Sequence, residues 1–109
     1  MDMRAHTVRA HLSAAAPQTD VLVPLALVTG ARAGLSVEQI DDLAMAIELL
    51  VRHRPRVDRH AVFAVDQGQI KVALTGIDAE WVERRGQMLA VLVSDVNVAP
   101  TEVVLRVDA

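Results

Sequence analysis

The sequence predicts an α+β fold: a two-layer sandwich with helices packed on one face of a β-sheet. Three observations predict it. Ile40, Leu43, Ala44, Ile47, Leu50 and Val51 recur at three- and four-residue spacing, which is one broad apolar face of a helix. His60–Val65 and Gln69–Leu74 are β-rich runs either side of Asp66-Gln67-Gly68, a hairpin signature. The whole chain reads in the order β-α-α-β-β-α-β-β, and such an order buries helices against one sheet face. With 109 residues and 52% apolar content, residues 1–109 make a single domain that needs no staples.

The elements follow in turn. Residues 4–12 (RAHTVRAHL) alternate loosely, with Val8, Ala10 and Leu12 on one side, and read as a first strand. A first helix begins near Pro17 or Asp20. Pro24 is tolerable in its first turn but would kink a helix begun at Pro17. It closes at Gly34, which takes the left-handed conformation at no steric cost. Ser36-Val37-Glu38-Gln39 fits a capping box for the second helix, with Leu35 and Ile40 placed as a hydrophobic staple. Four of its apolar residues are large aliphatics, each worth about 1.5–3 kcal/mol when buried. Pro55 disfavours helix at Arg54, so the helix stops there. After the hairpin, Asp78 caps a third helix whose Val82, Leu89, Leu92, Val93 and Val96 share a side, with a break expected at Gly86. Val96–Val98 and Glu102–Val107 close the chain as a hairpin around Ala99-Pro100-Thr101.

Composition excludes several chemistries. There is no cysteine, hence no disulfide, thiolate metal site or cysteine nucleophile. No apolar run reaches the roughly 20 residues of a membrane span, and the N-terminus lacks a signal-like apolar core, so a cytoplasmic location without membrane contact is expected. A net charge of −3 and only two aromatics, Phe63 and Trp81, argue against nucleic acid. Ten arginines against one lysine suggest a GC-rich bacterial genome.

Candidate chemistry is sparse. His6 and His11 lie five apart on a strand and face opposite sides, and no pair among His6, His11, His53 and His60 has the helical spacing of a zinc site, so no metal is expected. Ser13, Ser36 and Ser94 lack a paired histidine or a G-x-S-x-G context. Asp41 and Asp42 point about 100° apart and suit the helix dipole better than catalysis. Arg52, His53 and Arg54 end the helix, where its dipole favours cations by about 0.3–1 kcal/mol each, and Arg56, Arg59 and His60 follow in a solvated loop. Helix completion explains most of this cluster. Arg52, His53, Arg56 and Arg59 are also the candidates for gripping an acidic partner or a phosphate.

The element order, with AGLSVEQIDDLAMAIELLVRH (33–53), resembles the anti-sigma-factor serine kinases of the Bergerat-type ATPase superfamily, which includes histidine kinases and the gyrase ATPase domain. That family reads G-L-S, an acidic segment, then L-x-L-A-V-x-E-x-x-x-N. Gly34-Leu35-Ser36 and Leu43-Ala44-Met45-Ala46-Ile47-Glu48-Leu49 follow the pattern here, and Gly86–Asp95 fits the late helix. The resemblance implies a reduced histidine-kinase-like ATPase fold on a mixed β-sheet.

It also implies what has been lost. The family's helix glutamate is a general base and the asparagine four residues later holds Mg²⁺. Those positions fall on Leu49 and His53. Leucine accepts no proton, and Mg²⁺ prefers oxygen ligands. Sliding the match by one offers Glu48 and Arg52, but a cation does not hold a cation. The glycine-rich D-x-G-x-G element keeps one glycine, Gly76, and the late pair keeps only Gly86, ten positions further on, with little room for a lid.

The expectation is therefore a degenerate nucleotide pocket near Met45, Leu49, His53, Gly76 and Gly86, with no catalytic residue and no cofactor. The resemblance then implies a non-catalytic module regulating transcription by docking a sigma factor or an anti-sigma antagonist protein, with homodimers common in the family. Val23 stands where the family's first helix often carries a partner-contacting arginine. Two other readings stand beside this one: an ATP-binding serine/threonine kinase, and an unrelated small α+β oligomerisation or ligand-sensing domain.

Overall fold

Alternation along the strands sets the sheet. A computed structural model describes residues 6–52 and 56–109. It contains β1 (His6–Leu12), α1 (Thr19–Arg32), α2 (Val37–Arg52), β2 (Arg59–Asp66), β3 (Gln69–Thr75), α3 (Ala79–Arg84), α4 (Gly86–Leu92), β4 (Asp95–Val98) and β5 (Glu102–Asp108). Every second residue of β2, β3 and β5 is buried: Ala61, Phe63 and Val65; Ile70, Val72 and Leu74; Val103, Leu105 and Val107. These meet the buried faces of α1, α2 and α4 in one core, so the two-layer α+β sandwich holds.

The strands lie in the order β1-β2-β3-β5-β4, and all four pairings are antiparallel. The mixed sheet is thus corrected to an antiparallel one, for a topological reason. α1 and α2 form a helical hairpin that returns the chain to where β1 ended, so Arg59 pairs with Leu12 and β2 runs backwards beside β1. β3 and β4 do run the same way, but β5 is inserted between them, with Thr75 opposite Glu102 and Val98 opposite Val103. Among the described residues no helix is long and apolar enough to cross a membrane.

The helix ends follow local chemistry. Gly34 has φ +84°, Leu35 N–H donates to the Gly30 carbonyl at 3.0 Å and Gly34 N–H to that of Ala31 at 3.1 Å, the paired bonds that close a helix at a left-handed residue. α1 starts at Thr19, so Pro24 sits in its second turn and not its first; its ring is exposed, where water can serve the freed carbonyl. The capping box of α2 forms reciprocally: Gln39 N–H donates to Ser36 Oγ at 3.1 Å, and Ser36 N–H to Gln39 Oε1 at 2.9 Å. Gln39 Nε2 also donates to the Asp108 carbonyl at 2.8 Å, tying the helix start to the end of β5. Ser36→Ala should cost about 1 kcal/mol, read as a lower urea midpoint at unchanged slope.

Two details differ from the sequence reading. Ala46, and not Ala44, completes the buried stripe of α2, one turn before the buried Leu50 and three residues after Leu43, while Ala44 is only half-buried. The third helix is two: Arg85 separates α3 from α4, Gly86 opens α4, and Val96 belongs to β4. Asp78 caps α3 as expected, accepting from Glu80 N–H at 3.0 Å. The proposed stop of α2 at Arg54 and the start of β1 before His6 lie outside the described residues.

Candidate functional site

The site expected from the resemblance sits on the flank of α2 that faces α3. Leu49 is half-buried there and packs on the core, while Met45 one turn earlier is 55% exposed. Trp81 of α3 lies against this flank: its indole N–H donates to the Leu49 carbonyl at 3.1 Å. The Arg85 guanidinium stacks over the Trp81 ring at 4.2 Å, a cation–π contact that holds the indole's outer face. An aliphatic side chain and a docked indole offer dispersion contacts here and no proton acceptor. His53 lies outside the described residues.

The remaining residues assigned to the degenerate pocket fall elsewhere. Gly76 follows β3 and gives its carbonyl to Arg59 Nη2 at 3.2 Å. Gly86 lines a groove of about 350 Å³ with Val82, Glu83, Ala90, Ser94 and Asp95, between α4 and β4. Glu48, the slid candidate for a base, turns the other way. It lines two adjoining depressions of about 410 and 380 Å³ between the start of α1 and the end of α2, and Thr19 is common to both. One residue along a helix rotates the side chain by about 100°, so the slid register points at α1 and away from Trp81.

The cation cluster also divides. Arg52 is exposed and borders the larger depression with Pro17, Gln18 and Val51. Arg56 is exposed and lines a separate depression with Ala14, Ala15, Ala16 and Pro17. Arg59 and His60 are not in a solvated loop: both belong to β2. Arg59 is only 1% exposed, so it is withdrawn from the partner-gripping set. Its Nε donates to the Thr75 carbonyl at 3.1 Å and its Nη1 to Gln18 Oε1 at 2.6 Å. Gln18 in turn donates to the carbonyls of Val57 at 2.7 Å and Ser13 at 3.1 Å. Burial draws the guanidinium below its ordinary pKa range. Arg59 thus locks the β1–α1 and α2–β2 connections to the end of β3.

Sequence reasoning placed Arg59 among the partner-gripping cations and missed its buried bond to Gln18, although one signal was present. Arg59 is in phase with Ala61, Phe63 and Val65, the core side of the strand. No such signal marks the bonds of Gln18 to Val57 and Arg59 or of Trp81 to Leu49, which join residues distant in sequence. Among the described residues no three histidine, aspartate or glutamate side chains gather as a metal cluster. No protein-family model matches this chain, and no curated protein matches it either.

Proposed function

We propose that the chain is a non-catalytic regulatory module, similar to an anti-sigma factor, that acts by docking a protein partner. One observation carries the reading: at the place where the resemblance calls for a general base, Leu49 packs on the core and its carbonyl receives the chain's own indole. The partner would be a sigma factor or an anti-sigma antagonist protein, gripped by the exposed cations Arg52 and Arg56. Size-exclusion binding against the sigma factors and antagonists encoded in the same genome tests it. Co-elution weakened by Arg52→Glu supports the reading, and co-elution with none of them sinks it.

A second reading, an oligomerisation module unrelated to the ATPases, draws on two observations. The sheet is antiparallel throughout, and α1 turns Leu27 (56% exposed) and Val28 (55% exposed) outward together with Val21. A helix apolar on its outer side suits an interface. Light scattering that finds a dimer with no sigma factor or antagonist bound would favour this reading.

A further inference from the structure

The face of the sheet turned away from the helices carries a pairing that no spacing along the chain reveals. His11 of β1 and His60 of β2 are directly opposite in the antiparallel register. Their ring centroids are 4.6 Å apart and their planes are inclined by 12°. Both side chains are exposed. Directly opposed strand residues hold their Cβ atoms about 4.5–5.5 Å apart, so the backbone itself keeps the two imidazoles together.

We propose that His11 and His60 form a two-imidazole site for a divalent transition-metal ion, copper(II) above nickel(II) and zinc(II). An ion held by two imidazoles at about 2.0–2.1 Å requires donor nitrogens no more than about 4 Å apart. The stacked rings are near that separation, and as exposed side chains they can tilt to bring one nitrogen each onto a common ion. Imidazole is a donor suited to copper, nickel and zinc, and affinity at such sites peaks at copper(II). Arg9 shares this sheet face two residues from His11, and its charge opposes any cation. Hard ions that prefer oxygen, such as Mg²⁺, gain nothing here to offset it.

No third protein ligand from the described residues joins the pair, so water fills the remaining positions. The site is therefore open, with exchangeable positions for an outside ligand. It also links the edge strand β1 to the interior strand β2, so a bound ion stabilises the fold by binding the native pair and not the unfolded chain.

The test is isothermal titration of the tag-free chain with copper(II), with His11→Asn, His60→Asn and His6→Asn in parallel. The expected result is about one ion per chain, at least tenfold weaker in either His11→Asn or His60→Asn because chelation is lost, and unchanged in His6→Asn. Mg²⁺ should give no heat. Should either variant fold poorly, proton NMR of the unaltered chain decides: copper(II) at low stoichiometry should broaden the ring resonances of His11 and His60 before those of His6. Absence of binding, equal affinity in all three variants, or broadening that begins at another histidine would overturn the site.

Discussion

Replacing Arg59 by methionine is expected to lower the unfolding free energy by about 3 kcal/mol. Methionine keeps the unbranched apolar stem of the side chain but lacks the guanidinium and donates nothing. The carbonyls of Thr75 and Gly76 and the amide oxygen of Gln18 would lose their donor inside the protein. A buried polar group left without its partner costs about 1–3 kcal/mol, and partial relaxation keeps the sum below three full penalties. Arg59→Lys keeps the charge but loses the fork that reaches these acceptors together, and should fall between wild type and methionine. Urea denaturation measures all three. A double-mutant cycle with Gln18→Leu should return a coupling of about 1 kcal/mol or more, since the two side chains share a 2.6 Å bond. Equal stability of Arg59→Met and the wild type would remove the structural role assigned to Arg59.

Phe63→Ala should be costlier, at about 4 kcal/mol. Phe63 is fully buried on the core side of β2, between Val8 of β1 and Val72 of β3 in the register. Truncation leaves a cavity in a sheet that helices cover on that side only, so strand and helix layers both lose contact. A fall in Tm of roughly 4 °C per kcal/mol is expected for a domain of this size. Phe63→Leu fills most of the volume and should lose much less. Calorimetric scans of the three proteins give the comparison.

Local order was the most legible part of the sequence. Ser36 and Gln39 contain their own capping chemistry within four residues, and the structure forms both bonds. The β2–β3 hairpin was legible for the same reason: Gly68 takes φ +72° at the turn and the flanking residues alternate. Strand neighbours were less so. Alternation assigns a side to each residue but not a neighbour to each strand, so the insertion of β5 between β3 and β4 was out of reach. The burial of Arg59 ran against residue type, since arginine is rarely buried. Acceptors of its guanidinium include groups 16, 17 and 41 residues away, which are in place only once the fold is formed. The split at Arg85 was half legible: Gly86 marked the place, but the two helices part because α3 docks Trp81 on α2 while α4 packs Leu89 into the core.

The expected pocket fared in the same way. The helix positions Met45 and Leu49 were readable from the i, i+4 pattern, and they do share a flank. What covers that flank was not readable, because Trp81 arrives from 32 residues further along the chain. The separation of Gly76 from Gly86 into different surroundings likewise depends on where α3 lies.

The central claim is that no ATP chemistry occurs on this chain, and calorimetric titration with ATP and Mg²⁺ tests it most directly. The account predicts no saturable heat up to about 1 mM nucleotide, a regime in which even a Kd at that limit, about −4 kcal/mol of binding, would be seen. Saturable Mg²⁺-dependent binding in the micromolar range would contradict it.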